Sequence, residues 1–113
     1  MDKKDIISFL EEIALCLELL KENPFKFSSY TKAARFLERY QENIIDLIQN
    51  KKLDTLPGFG KAITEKVYSF FENNSSSYLE ELKSKIPTGI FDILTLKGIG
   101  VKKTLELWQQ LGI

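Results

Sequence analysis

The sequence predicts an all-α fold, a helical bundle that carries two copies of one hairpin. Apolar residues recur at the three-to-four-residue spacing of amphipathic helices, and no stretch shows the two-residue alternation of a half-buried strand. The segment LDTLPGFG at 53–60 returns as ILTLKGIG at 93–100. Each copy ends in Gly-apolar-Gly and leads into a helical pattern, so the two turns are expected to organise the fold.

A long amphipathic helix is predicted over residues 4–22. Its apolar positions advance by alternating steps of four and three: Ile6, Leu10, Ile13, Leu17 and Leu20. Asp2 or Asp5 is expected to cap its start, because a short carboxylate accepts hydrogen bonds from free backbone amides. Pro24 disfavours helix at the residue before it and is expected to end the helix.

The second helix is predicted to begin at a cap provided by Ser28 or Ser29 and to reach about Tyr40. Phe25 and Phe27 then lie in the connection that precedes it. Both rings are expected to join the core rather than to stack on a ligand. A third, shorter helix is predicted over residues 42–50.

The remaining helices are predicted around the two hairpins. One follows the first hairpin over residues 61–73, a second runs from a cap at Ser76 or Ser77 to residue 85, and short and long helices cover 90–94 and 101–111. The polar turn at 73–77 suggests a division into residues 1–74 and 75–113. We expect the two parts to pack as one unit, although this turn is also a candidate hinge.

Composition excludes several classes of function. The 113 residues include no histidine, which removes Ser-His-Asp and Cys-His catalysis and nearly all zinc sites. A lone cysteine cannot form a disulfide framework, and no apolar run is long enough to span a bilayer. A cytoplasmic location and no membrane partner are therefore expected.

The charges are balanced in number but not in position. Sixteen basic and sixteen acidic residues argue against a strongly electrostatic nucleic-acid binder. Basic side chains nevertheless gather near the glycine turns: Lys26, Lys32, Arg35, Arg39, Lys61, Lys66, Lys97, Lys102 and Lys103. A local phosphate-binding face is compatible with zero net charge.

The hairpin amides are the strongest candidates for phosphate contact. A Gly-x-Gly turn at a helix N-terminus leaves backbone N–H groups unpaired beside the positive end of the helix dipole. This predicts phosphate contact around Phe59, Gly60 and Lys61, and again around Ile99, Gly100 and Val101. The alternative is that the glycines only make a tight turn for helix packing.

The segment ENPFKFSSYTKAARFLE together with the two glycine hairpins resembles the amino-terminal region of family X DNA polymerases, with the bacterial polymerase-X proteins closest in style. The resemblance covers about residues 6–113. It implies tandem helix-hairpin-helix motifs in a bundle like the amino-terminal domain of DNA polymerase beta. It also implies sequence-nonspecific binding of gapped DNA, nicked DNA and 5′-phosphate ends in repair, within the bacterial cytoplasm and nucleoid.

Family members continue into a polymerase body, whose acidic metal cluster and histidine-rich phosphoesterase site have no counterpart in this sequence. The chain alone is therefore not expected to synthesise DNA. It is either a fragment, with the polymerase body as partner, or a free-standing relative. We expect a monomer.

The resemblance also assigns roles to particular side chains. The motif GFGKAITEKV places Lys66 at the position of the Schiff-base lysine of deoxyribose-phosphate lyases. Lys26 and Tyr30 match positions that line a 5′-phosphate pocket, with Lys32 close by. One departure weakens the lyase assignment, because Ala62 stands where a second lysine is expected.

No cofactor is expected to be required, although the resemblance implies a Na⁺ or K⁺ ion on hairpin carbonyls. The implied carbonyls belong to Asp54, Leu56, Phe59, Leu94, Leu96 and Ile99. The full set of candidate DNA contacts is Lys26, Tyr30, Lys32, Gly58, Phe59, Gly60, Lys61, Gly98, Ile99, Gly100, Val101, Lys102 and Lys103.

Three functions follow from these observations. The first is a DNA-binding module that grips backbone phosphates, and the second is an active 5′-deoxyribose-phosphate lyase that uses Lys66. The third is a structural or protein-interaction domain whose hairpins only shape the fold. Salt-dependent DNA binding separates the first from the third, and borohydride trapping on an abasic end detects the second.

Overall fold

The computed structural model describes residues 1–95 and 100–111. Within these residues the chain is helical and contains no strand, which confirms the predicted all-α class. The helices are α1 (Lys3–Leu19), α2 (Pro24–Arg39), α3 (Ile44–Gln49), α4 (Lys61–Asn73), α5 (Ser77–Ser84), α6 (Thr88–Thr95) and α7 (Val101–Leu111). A short 3-10 turn, Leu53–Thr55, lies between α3 and α4.

Helix α1 begins and ends with well-defined backbone caps. Asp2 accepts a hydrogen bond from the Asp5 amide at 3.1 Å, and Asp5 accepts one from the Asp2 amide at 2.9 Å. The helix ends at Leu19, three residues earlier than predicted. Lys21 adopts the left-handed conformation with φ of 58°, and the Glu22 amide donates to the Leu17 carbonyl at 3.0 Å. This Schellman arrangement, rather than the proline, terminates the helix.

Helix α2 begins at Pro24, so the prediction that Ser28 or Ser29 caps it is wrong. The Asn23 side chain caps the helix by accepting from the Phe25 amide at 2.9 Å. Proline suits the first helical position because its fixed φ is helical and its missing N–H would be unpaired there anyway. The Ser28 and Ser29 hydroxyls instead donate to the Phe25 carbonyl.

The early start of α2 changes the environment of its aromatic residues. Phe25 is 83% exposed, so the prediction that it joins the core is wrong. Phe27 is partly buried and packs against the core, as predicted. The exposed ring of Phe25 stands in the first turn of α2, next to Lys26.

The core forms around α1, which contacts α2, α5 and α7 along its length. The Phe9 ring stacks on the Phe70 ring of α4 with centroids 4.1 Å apart and planes 5° apart. Cys16 is enclosed at 1% exposure among apolar side chains, as expected for a small hydrophobe. The apolar residues of α1 thus pack against helices from both halves of the chain.

Helix α5 is capped by Ser76, which accepts from the Leu79 amide at 3.2 Å and confirms the predicted cap. Lys83 of α5 forms an ion pair with Glu12 of α1 at 3.0 Å. These contacts bring the chain that follows residue 76 against α1. The division at residue 74 stays a prediction.

Candidate nucleic-acid interface

The first hairpin contains two glycines with different structural roles. Gly58 has φ of +82°, a left-handed conformation that glycine adopts without strain. Gly60 has an ordinary φ of −72° and precedes the first residue of α4. A Cβ placed on Gly60 or on Gly100 meets nothing within 4 Å. Internal packing therefore does not require glycine at these two positions, and the space in front of them is open.

The amides of the first turn of α4 are available to a ligand. Gly60 makes no side-chain cap bond, so these N–H groups have no partner within the helix. The Phe59 amide is different, because it donates to the Leu56 carbonyl at 3.2 Å. The Phe59 ring is buried and packs edge-on against Phe36. The predicted phosphate contact therefore narrows to the amides of Gly60 and Lys61.

A groove of about 390 Å³ lies between the N-terminal halves of α2 and α4. We call it the α2–α4 groove, and its lining comprises Lys26, Ser29, Tyr30, Gly58, Gly60, Lys61, Ala62, Ile63 and Lys66. Six of these nine residues are among the candidate site residues of the sequence. The fold thus brings together two segments that lie about thirty positions apart in the chain.

Tyr30 is buried in the wall of the α2–α4 groove. The residue is 4% exposed, so its ring is enclosed and cannot stack on a base. Burial, together with the nearby Tyr78 and the hydrogen bond between their hydroxyls, raises the pKa of Tyr30 to about 12. The Tyr30 hydroxyl donates to the Tyr78 hydroxyl, so its one proton is already used within the protein and Tyr30 supports the wall of the groove.

Lys66 is partly buried and lies at the edge of the buried face of α4. Its Nζ is 4.6 Å from the centre of the Tyr78 ring and 3.5 Å from the Ala62 carbonyl oxygen. No sequence pattern indicates the contact with Tyr78, because the approach of Tyr78 to α4 depends on how α5 folds back. Lys26, on the other side of the groove, forms only a long surface pair with Glu22 at 4.0 Å. Such pairs contribute little, so this cation is free to bind phosphate.

The structure does not bring Lys32 into the groove. Lys32 is exposed, and helical geometry places it about 120° around α2 from Lys26. The buried positions Ala33, Ala34 and Leu37 face the opposite way. Its proposed proximity to the 5′-phosphate pocket therefore has no support in this geometry.

The predicted cation site lies on backbone carbonyls only. Among residues 1–95 and 100–111, no group of three or more Cys, Asp or Glu side chains is placed to hold a metal ion. The Leu56 carbonyl accepts from the Phe59 amide, and the Phe59 carbonyl accepts from the Thr64 hydroxyl at 3.2 Å. Each carbonyl oxygen retains a second lone pair. A Na⁺ or K⁺ ion at Asp54, Leu56 and Phe59 stays a prediction.

The second hairpin is described only in part. The candidates Leu96, Gly98 and Ile99 lie outside the described residues, so nothing is added to their predicted roles. Gly100, Lys102 and Lys103 are exposed at the start of α7, whereas Val101 is partly buried. Leu94, a candidate carbonyl, is in the last turn of α6.

A threonine extends the sequence repeat beyond the glycines. The buried Thr64 hydroxyl donates to the Phe59 carbonyl, and the buried Thr104 hydroxyl donates to the Gly100 carbonyl at 2.9 Å. Both threonine amides also donate to the carbonyl of the preceding glycine, at 3.0 Å. The two residues are forty positions apart, like the glycines, so the sequence repeat itself contains the signal for this threonine pair.

The first hairpin, with its glycine turn, its unpaired α4 amides and its buried threonine, indicates the class of protein. Residues 1–76 match the family described as "Helix-hairpin-helix domain", and the chain belongs to that family. Over all 113 residues it is 37% identical to the DNA polymerase/3'-5' exonuclease PolX of Bacillus subtilis strain 168. The predicted resemblance to the amino-terminal region of family X polymerases is thereby confirmed.

The match covers the whole chain but only 19% of that relative, so the chain spans about a fifth of the relative's length. No helix among the described residues has the length and apolar character that crossing a bilayer requires.

Proposed function

We propose that this chain binds DNA through backbone phosphates, without reading base sequence, as the amino-terminal part of a family X DNA polymerase that acts on gapped or nicked DNA in repair. The observation that carries the proposal is the α2–α4 groove. There Lys26, Lys61 and Lys66 surround the unpaired amides at the start of α4. The open space over Gly60 supports the same conclusion, because a phosphate needs that space and packing does not.

A terminal 5′-phosphate is the ligand that fits this groove best. A phosphate monoester carries about −1.5 to −2 charges at neutral pH, against −1 for each internal phosphodiester. The three lysines of the groove therefore favour the end of a strand over its interior. Contacts to phosphate position the DNA but carry no base identity, which supports binding without sequence preference.

The proposal is tested by titrating a one-nucleotide-gapped duplex with and without a 5′-phosphate at low salt. The phosphorylated gap is expected to bind at least about five-fold more tightly, and the double variant K26A/K61A is expected to abolish that difference. Affinity should fall log-linearly with salt, with a slope of about −3 if three phosphates are neutralised.

The control variant is K52A/K85A, which removes two exposed lysines outside the groove. It should retain the preference for the phosphorylated gap. Equal binding of both gaps by the wild type would reject the 5′-phosphate site. Absence of binding to either gap, even at low salt, would favour the structural or protein-interaction alternative.

A second candidate function is 5′-deoxyribose-phosphate lyase activity, which the position of Lys66 in the same groove favours. The Lys66 amine would attack C1′ of the open-chain sugar and lose water to form an imine. Removal of a C2′ proton and cleavage of the C3′–O3′ bond would leave a 5′-phosphate on the DNA strand. One water would then hydrolyse the imine and restore Lys66.

Borohydride trapping on a 5′-deoxyribose-phosphate end tests the lyase. A covalent adduct that K66R abolishes, while K61R retains it, would support the assignment. K61R is the matched control because Lys61 lines the same groove at the start of α4. If the wild-type protein binds the same DNA but forms no adduct, the lyase assignment is wrong and the groove only binds phosphate.

A further inference from the structure

Three basic residues form a line along the side of α2 that faces away from the groove. Lys32, Arg35 and Arg39 follow one another at steps of three and four, within a sector of about 60°. We call them the outer face of α2. Lys26 lies about 120° or more from this sector, and the buried Tyr30 lies on the opposite side of the helix. Ser29, which also lines the groove, lies about 60° from Lys32 and further from Arg35 and Arg39, so the outer face begins beside the groove and extends away from it.

The cations of the outer face have no acidic partner. All three residues are exposed, and among the described side chains no carboxylate lies within the 4.0 Å of an ion pair. Two other lysines do have close acidic partners, Lys51 with Glu72 at 2.9 Å and Lys83 with Glu12 at 3.0 Å. Because the chain has zero net charge, these three unpaired cations form a local positive region rather than part of an overall excess of positive charge.

The chemistry of the face fits a strand of nucleic acid. Arginine presents a planar fork that binds phosphate through two hydrogen bonds, and two of the three residues are arginines. At 1.5 Å per residue, Lys32 and Arg39 are about 10 Å apart along the helix, or roughly three 3.4 Å steps of a DNA strand. Phe25, the exposed ring, continues the same line beyond Ser28. A membrane-binding helix would instead carry several apolar residues between its cations.

We propose that the outer face of α2 is a second DNA-binding site, which holds the unpaired strand opposite the gap while the groove holds the 5′-phosphate. This inference rests on the proposed DNA-binding function and extends it to a second segment of the same substrate. The two sites lie on opposite sides of one helix, whose diameter with side chains is about 10–12 Å. The two strands at a gap would then pass on either side of α2.

The test is the charge-reversal variant R35E/R39E, compared with K4E/K85E. Both variants change the net charge by the same amount, and Lys4 and Lys85 are exposed and lie off the outer face. The probes are a single-stranded oligothymidylate and the gapped duplex with and without its 5′-phosphate. R35E/R39E should weaken oligothymidylate binding at least ten-fold and make its salt slope shallower by about two, while the control weakens it much less.

The 5′-phosphate preference of the gapped duplex reports on the groove and should persist in R35E/R39E. The neutral variant R35Q/R39Q, with a melting curve like that of the wild type, should show an intermediate loss. If R35E/R39E behaves like the control while the wild type prefers the phosphorylated gap, this inference fails and the proposed function stands. Parallel loss of oligothymidylate binding and 5′-phosphate preference would mean one shared site, which overturns the inference. If the wild type binds neither probe, both proposals fail.

Discussion

Tyr78 of α5 lies beneath Lys66 of α4, with 4.6 Å between the Lys66 Nζ and the ring centre. A cation over an aromatic face is attracted by about 0.5–1 kcal/mol at an exposed site. The contact joins the second half of the chain to the groove that the first half forms. It also restrains a long, flexible side chain that would otherwise lose entropy on binding a phosphate.

Replacing Tyr78 by leucine should weaken binding of the phosphorylated gap by about two- to five-fold, because Lys66 loses the ring that restrains it. Titration of the gapped duplex measures the effect. Tyr78→Phe is the matched control, since it keeps the ring and removes only the hydroxyl. If the phenylalanine and leucine variants weaken binding equally, the ring contact is not the cause.

Alanine at the two glycines of the first hairpin should have opposite consequences. Gly58→Ala should destabilise the fold by about 1–2 kcal/mol, because alanine is strained at φ of +82°. Gly60→Ala should leave stability within about 0.5 kcal/mol, since its φ is ordinary and a Cβ there meets nothing. Its methyl group would nevertheless stand over the α4 amides and weaken DNA binding.

Urea denaturation gives the stability of both variants, and the gapped-duplex titration gives their affinity. A Gly60→Ala protein that binds the phosphorylated gap like the wild type would show that these amides do not contact phosphate.

The exposed ring of Phe25 should matter for binding and not for folding. Phe25→Ala should change stability by less than about 0.5 kcal/mol, because the side chain is 83% exposed. Its loss should weaken binding to DNA with unpaired bases by about 1 kcal/mol or more, the usual contribution of one base–aromatic stack. Phe27→Ala provides the contrast, since this partly buried ring should affect stability first.

Thr64 and Thr104 should each stabilise the fold. Thr64→Val and Thr104→Val each leave a carbonyl oxygen without its hydroxyl donor and should cost about 1–2 kcal/mol. Thr55→Val removes an exposed hydroxyl bond to the Lys52 carbonyl and should cost less. Denaturant midpoints of the three variants test the difference. Equal midpoints would show that burial of the two threonines adds nothing.

Ionisation of Tyr30 at high pH should lower the free energy of unfolding. Its folded pKa of about 12 lies above the value near 10 of an unfolded tyrosine. The stabilisation is therefore complete below pH 10 and is lost as the pH rises from about 10 towards 12, where the unfolded state ionises first. The loss attributable to this residue should be of the order of 2 kcal/mol.

Comparison of wild type with Tyr30→Phe in denaturation at pH 8 and pH 11.5 isolates this contribution from that of the lysines. The wild type should lose more stability than the variant across this range. Tyrosinate absorbance gives an independent titration. A Tyr30 that ionises near pH 10 in the folded protein would contradict the expected burial of its hydroxyl.

Several elements could be predicted because local chemistry decides them. The bounds of α4 follow from a glycine, a periodic apolar pattern and a polar turn, and Ser76 stands directly before the α5 pattern with a hydroxyl that can cap the helix. The start of α2 differs from the prediction because Pro24 can both end one helix and begin the next. Asn23-Pro24 is also a good helix start, with an amide cap before a residue whose φ is fixed.

Other features depend on tertiary structure and leave no periodic signal. The buried positions of α2 do indicate that Lys32 faces away from the core, although proximity in sequence suggested the phosphate pocket. The contact between Tyr78 and Lys66 depends on the path of the chain between α4 and α5. Asn74 sets that path with a left-handed backbone, which cannot be read from an Asn-Asn-Ser-Ser-Ser stretch.

The thiol of Cys16 can report on opening of the helical bundle. It is the sole cysteine of the chain, and it lies at 1% exposure on the helix that contacts both halves of the fold. A thiol reagent can modify it only in molecules whose α1 has separated from its neighbours. The modification rate of unlabelled protein, with and without gapped DNA, therefore measures how strongly the DNA closes the bundle.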